Sequence, residues 1–232
     1  MAAEATPAQA IAAALGEAGD VVELDEEESH YLRRVCRVRP GEVVRLTDGR
    51  GSVALARLAD AGRSARLTLE SLERTPSPAR AVVMCGAPEG ERADWLIEKL
   101  AELGVTRLVP IHSRRAVWEQ WDRRRERFSR LARAALRQSR RAWLMEVADP
   151  VEFVPALDGL PEDTGRWLAD AGGEARPPEA SPGGNVGLVG PSQGLDPGEI
   201  DACLRRGFVR VRLSGARLRT ETAAVALAAW WE

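Results

Sequence analysis

At 232 residues, 44% of them apolar, the chain has material for one large or two unequal packed domains. Its net charge of −2 excludes a uniformly basic or acidic surface, and the lack of any run of about 18 apolar residues excludes a membrane-spanning helix. The three cysteines, Cys36, Cys85 and Cys203, lie far apart and pair with no histidine at ligand spacing. They read as buried free thiols of a reducing, cytoplasmic compartment, with no metal site.

The Ala-rich opening MAAEATPAQAIAAALGEAGD lacks the basic start of a secretory signal, and residues 1–19 read as a frayed helix or tail. Residues 20–74 predict a small β-rich domain. It contains a strand at VVEL, a short helix from about Ser29, a hairpin EVVRLTDGRGSVALARLADA with a DG turn, and a further strand ARLTLESLER. TPSPAR (75–80) is a Pro-containing linker, after which residues 81–232 alternate strand and helix. AVVMCGA is an apolar strand. ERADWLIEKLAELG is an amphipathic helix with Trp95, Leu96, Leu100 and Leu103 apolar and Gly104 as its stop. TRLVPIHS is a strand, 119–141 a long Arg-rich helix and GRWLADA another strand. AGGEARPPEASPGG is a surface loop, followed by the strand GLVG, a helix around Pro197–Arg206, the strand FVRVRLS and a terminal helix. Such alternation predicts an α/β fold with a parallel sheet.

Charge is strongly segregated. Residues 107–141 carry twelve Arg against Glu119, Asp122 and Glu126, and residues 30–50 carry six Arg against Glu42 and Asp48. Residues 142–201 hold twelve acids against Arg166 and Arg176. Two basic segments on a neutral chain point to a directed anionic partner. Lys99 is the only lysine, and arginine suits phosphate forks and base stacking.

Near the end, two apolar strands each run into a Gly-containing loop, LVGPSQGL (188–195) and LSGARLRTETAA (213–224). Glycine there lets the backbone approach a ligand closely. Neither GxGxxG nor GxxxxGK[ST] occurs in the chain, so the usual nucleotide signatures are absent.

Five segments in series resemble one family. HYLRRVCRVRPGEVVRLTDGRG (30–51) resembles the His-plus-basic helix and hairpin that open RsmE-type methyltransferases. IEKLAELGVTRLVPIHSRRAV (97–117) is similar to their K–ELG–P–S–R segment through Lys99, Glu102, Leu103, Gly104, Pro110, Ser113 and Arg115. RFSRLARAALRQSRR (127–141) matches a further helix through Arg127, Ala135, Gln138, Ser139 and Arg141. The two Gly loops are similar to the GPEGG and LG–R–LR–ETA segments. The chain departs from the pattern at Ser192 and Gln193, where the family has Glu and Gly, and at Glu89, where relatives often carry Lys.

The resemblance implies a SPOUT-class methyltransferase that uses S-adenosylmethionine (SAM) to methylate N3 of a uridine in 16S ribosomal RNA, free or in the small ribosomal subunit. It also implies a PUA-like N-terminal β-barrel, a C-terminal trefoil knot and a homodimer through the knot. Under that resemblance SAM lies against Leu168, Gly190, Pro191, Gly194, Leu213, Gly215, Leu218, Arg219 and Thr220. Uridine N3 must lose its proton before it attacks, so the site needs a base or a cation for the anion. Arg219 is the candidate stabiliser. Glu221 is the candidate base, or else it fixes Arg219 or caps the terminal helix.

His30, Arg33, Arg34, Arg37 and Arg39, with Arg115, Gln138 and Arg141, are the candidate RNA contacts; helical spacing sets Arg33 and Arg37 on the face of His30. Trp95, Trp230 and Trp231 read as packing or dimer contacts, and His112 receives no role. Two other readings stay open: a non-catalytic RNA-binding or ribosome-assembly factor on the same fold, and a SPOUT methyltransferase acting on another RNA.

Overall fold

The computed structural model describes residues 6–60, 63–175 and 181–231. The chain divides into two compact units, Met1–Ser77 with Leu136–Leu144, and Pro78–Ala135 with Met145–Glu232.

The first unit is a curled half-barrel of five strands: β1 (Gln9–Ile11), β2 (Val21–Glu23), β3 (Val43–Thr47), β4 (Ser52–Asp60) and β5 (Arg66–Arg74), in the order β1-β3-β4-β5-β2. All pairs are antiparallel except β1 on β3, which is parallel with Gln9 opposite Arg45. The period-2 alternation of β4 and β5 sends Ala54, Ala56, Leu58, Leu67 and Leu69 into a core closed by Leu24, Leu32, Val44 and Leu46. Residues 9–11 thus do not belong to a frayed tail; all three are buried in a strand. Three residues inside an Ala-rich run show no period that would mark a strand, and alanine favours helix.

Segment 136–144 joins this unit through polar bonds. Gln9 Nε2 donates to the carbonyls of Leu136 (2.9 Å) and Arg141 (3.2 Å), and Trp143 Nε1 to that of Pro76 (3.0 Å). The fully buried Glu28 accepts from Ile11 N (3.1 Å) and pairs with Arg137, whose guanidinium lies 4.7 Å from the Tyr31 ring centroid. The helix predicted from Ser29 is α1 (Glu26–His30), N-capped by Asp25 and continued by a π turn over Tyr31–Val35. Arg37 lies beyond that turn with φ +56°, so it does not continue the helical row of His30 and Arg33. The wider π turn ends the α spacing.

The second unit is a parallel sheet, with β6 (Ala81–Cys85), β7 (Arg107–His112), β8 (Glu146–Val147), β10 (Gly165–Glu174), β11 (Asn185–Val189) and β12 (Val209–Val211) in the order β12-β10-β11-β6-β7-β8. β9 (Val151–Glu152) pairs with β7, and every pair in the unit is parallel. The helices are α2 (Ala93–Glu102), α3 (Trp121–Ser139), α4 (Phe153–Asp158), α5 (Pro197–Arg205) and α6 (Thr220–Ala229); the last turn of α3 counts with the first unit. α2 buries Leu96, Ile97 and Leu100, while Trp95, one step round the helix, is 43% exposed. Trp230 and Trp231 pack edge-on against Trp167, at 6.3 and 5.7 Å.

Gly172 and Gly173, read as loop, lie in β10. A Cβ on Gly173 would sit 2.5 Å from the main chain of Arg210 and Val211, so glycine here lets β12 pass close by. Part of the predicted surface loop, residues 176–180, and the hairpin end at 61–62 lie outside the described residues. Among the described residues no helix is long and apolar enough to cross a membrane. Nor does any group of three or more His, Cys, Asp or Glu gather there to hold a metal.

The cysteines are free, with Cys85 and Cys203 buried and Cys36 half-buried. Burial pushes the Cys203 thiol up to about 12, and burial, reinforced by the charge of Glu221, pushes Cys85 up as well. A thiol reagent should therefore label Cys36 alone in the native protein and all three in denaturant. Rapid native labelling of Cys85 would contradict this packing.

Candidate active site

The parallel strands of the second unit end at one edge, the usual place for a ligand in an open α/β sheet. There the middle of β10 and the loops that follow β11 and β12 surround a cavity of about 550 Å³, a size suited to a cofactor-sized molecule. Its first wall is Ala169–Ala171, inside β10 just past its last pairing with β11, its second Gly190–Leu195 after β11, and its third Arg212–Leu218 after β12, with Thr220 and Ala223 of α6 behind. The lining is rich in Gly, Ala and Ser, so main chain is exposed to a ligand. A Cβ on Gly215 would meet nothing within 4 Å, leaving open space beside the third wall.

The second wall is held through its own main chain. Gly194 N donates to Pro191 O (2.7 Å), closing a turn in which Gly194 has φ +74°. Thr220 Oγ1 donates to Gly190 O (3.2 Å), Arg217 Nη2 to Ser192 O (2.8 Å), and Arg115 Nη1 to Gln193 O (2.8 Å). Behind the wall, Gly86 N donates to Val189 O (2.8 Å), and a Cβ on Gly86 would lie 2.4 Å from Pro191 N. On the first wall, Asp170 is taken by Arg210 Nε (3.1 Å) and Gly172 N (2.7 Å).

Of the residues assigned to SAM, Gly190, Pro191, Gly194, Leu213, Gly215, Leu218 and Thr220 all line this cavity. Leu168 does not; it is 1% exposed in the core beneath, and the three residues after it form the wall. Strand alternation turns Leu168 inward. Arg219 is exposed at the N-cap of α6 and outside the lining.

Glu221 is 5% exposed. Its Oε1 lies 3.2 Å from Arg92 Nε, while its Oε2 is buried and has no hydrogen-bond partner among the described residues. Arg92 stands at the N-cap of α2, just beyond β6, so this pair sits one strand over from the cavity along the same sheet edge. Glu221 therefore does not fix Arg219 in this structure. It caps no helix with its side chain either, since α6 lacks a side-chain cap. Arg92, Arg217 and Gly86 escaped the sequence reading. Arg217 lies inside the quoted LSGARLRTETAA run, but nothing in a linear motif shows that it reaches a loop 25 residues away.

In the first unit His30, Arg33, Arg34, Arg37 and Arg39 are all exposed, as is Gln138, while Arg141 is half-buried. Arg115 belongs to the second unit. On α3, Arg125 and Arg127 pair with Asp149 and Asp94, so part of that helix's charge is already matched.

Comparison with known proteins places these features in a family. A model of the RNA methyltransferase domain matches residues 75–232, and a model of the RNA methyltransferase PUA domain matches residues 24–69. The chain is 32% identical to the ribosomal RNA small subunit methyltransferase E of Mycobacterium bovis, over 93% of this chain and 87% of that protein. It is 31% identical to the protein of the same name from Synechocystis, over 89% and 71%. The crystal structure of the Neisseria gonorrhoeae methyltransferase E bound to S-adenosyl methionine superposes with a TM-score of 0.89 at 27% identity, covering 97% of this chain and 96% of that one. The chain belongs to the RNA methyltransferase family of the ribosomal RNA small subunit methyltransferase E type, with a PUA domain ahead of its methyltransferase domain.

Proposed function

We propose that the protein methylates N3 of a uridine in small-subunit ribosomal RNA with SAM as donor. The observation that carries the reading is the main-chain-lined cavity between the middle of β10 and the loops after β11 and β12. Gly190, Pro191, Gly194, Leu213, Gly215, Leu218 and Thr220 hold the cofactor there. SAM supplies an electrophilic methyl group on a sulfonium. The chain's own part is to orient the acceptor uridine, exclude water and stabilise the anion left when N3 loses its proton.

Arg92 and Arg219 are the cations for that anion. Each stands at a helix N-cap without a side-chain hydrogen bond there, where the helix dipole already favours negative charge. Glu221 either accepts the N3 proton or holds Arg92. Ser192 and Gln193, which replace the family's Glu and Gly, are compatible with this role because the bonds to their residues run through carbonyl oxygens. The chain folds as a trefoil knot around this site and acts as a cytoplasmic homodimer.

The PUA-like unit presents Arg33, Arg34, Arg37 and Arg39 with His30 to RNA phosphates, with Arg115, Gln138 and Arg141 as further contacts. With four phosphate contacts, log K for rRNA should fall against log salt with a slope of roughly −3, and alanine at all four arginines should flatten it. An unchanged slope would remove these residues from the interface.

The direct test is calorimetric titration with SAM, then mapping of modified nucleotides in rRNA from cells lacking the protein. SAM binding and loss of one N3-methyluridine are expected. No binding at millimolar SAM would favour the RNA-binding factor. Intact N3-methyluridine together with a lost methyl group in another RNA would move the substrate there.

A further inference from the structure

The loop Gly190–Gln193 has a property that none of its side chains explains. All four of its consecutive carbonyls are engaged: Gly190 by Thr220 Oγ1, Pro191 by Gly194 N, Ser192 by Arg217 and Gln193 by Arg115. By contrast, the N–H groups of Ser192, Gln193 and Leu195 donate to no partner among the described residues. A cavity wall whose acceptors are all occupied and whose donors are free suits a ligand rich in acceptors. Two of the four restraints come from guanidinium groups on separate elements. Arg115 follows β7, and Arg217 lies on the opposing loop after β12. Both side chains are exposed, so neither is needed to fill a core.

We propose that Arg115 and Arg217 are positioning residues that clamp this loop from two sides and so set the shape of the cofactor cavity. This rests on the reading of that cavity as a SAM site. The arginines act through the loop's main chain: they hold the carbonyls of residues 192 and 193 away from the ligand and leave the N–H groups to meet its acceptors. A guanidinium supplies a charge-assisted donor at fixed geometry. The clamp also makes the loop insensitive to which side chains stand at 192 and 193. Arg115 thereby takes a role in the cofactor site.

The test is calorimetric titration of the full chain with SAM, with melting temperatures measured with and without ligand. Because the bonds are solvent-exposed, Arg217→Ala and Arg115→Ala should each weaken SAM by about fivefold, and the double variant by twentyfold or more. The loss should appear as faster dissociation. Arg217→Lys, which keeps a charged donor, should recover most of it, a rescue that a merely structural role would not show. Melting without ligand should stay within a few degrees of the wild type, while the SAM-induced rise shrinks. Arg205→Ala, an exposed arginine at the end of α5, is the control for loss of charge and should bind SAM normally.

Wild-type affinity within twofold in the double variant overturns the clamp. So does an Arg115→Ala that loses RNA affinity while keeping SAM affinity. A wild-type chain that binds no SAM removes the underlying reading instead, and the clamp with it. If the double variant fails to fold, the singles and Arg217→Lys decide.

Discussion

Gly86→Ala should nearly abolish SAM binding although Gly86 does not line the cavity. The residue follows β6, and its N–H reaches Val189 O at the point where the second wall begins. An added Cβ would stand 2.4 Å from Pro191 N, 2.7 Å from Pro191 Cδ and 2.9 Å from the Gly190 carbonyl carbon. These are main-chain and ring atoms, which cannot rotate away as a side chain would. The loop must move outward, or β6 and β11 must part, at a cost of about 1–3 kcal/mol. Because the same loop carries the second wall, the displacement reaches the ligand directly. A fall in SAM affinity of about a hundredfold is expected, in keeping with the sensitivity of sites to shifts near 1 Å. Gly159→Ala, at an exposed helix end where a Cβ meets nothing within 4 Å, serves as the neutral control. Calorimetry showing Gly86→Ala within threefold of wild type would falsify the close-contact account.

Glu221→Ala should cut turnover by roughly 10²–10³ while leaving SAM affinity within about threefold. The carboxylate is buried against the guanidinium of Arg92 and does not line the cavity. If Glu221 acts by holding Arg92, then Arg92→Ala should lose a similar factor, and the double variant should be no worse than either single, because the pair works as one unit. If Glu221 is the base and Arg92 a bystander, Arg92→Ala should retain most activity. Stability should drop by about 1–2 kcal/mol in Glu221→Ala, less than for a fully buried pair because the Arg92 side chain is 38% exposed. Single-turnover kinetics with saturating SAM, alongside thermal melts, separates these cases.

Much of the architecture was legible because hydrophobic period and turn chemistry are local. The alternation of apolar strands with helices from Ala81 onward announces a parallel sheet, and the DG turn announces the β3–β4 hairpin. Short or buried pieces were not legible. β1 is three residues long and owes its existence to β3 and to the Glu28 carboxylate, both distant in sequence. Gly172 and Gly173 read as loop because glycine usually breaks strands, whereas here they make room for β12. Trp95 reads as a packing or dimer contact, and only the packed helix shows that it stands exposed, one step round from the buried Leu96.

The two Gly loops near the end of the chain could be recognised from residues alone, since glycine after an apolar strand is a signal carried by neighbours in sequence. Their relation could not. That Arg217 reaches Ser192, that Thr220 holds Gly190, and that Gly86 backs Pro191 depend on which strands lie side by side, and strand order is not a local property. The same holds for Glu221. Its type and position at the mouth of the last helix are plain in the sequence. Its burial against Arg92 arises only when α2 and α6 pack on the same sheet. Residue type and local spacing determined which groups are available for the chemistry. The tertiary structure decided which of them meet, because distance and solvent exclusion are set by packing between segments far apart in the chain.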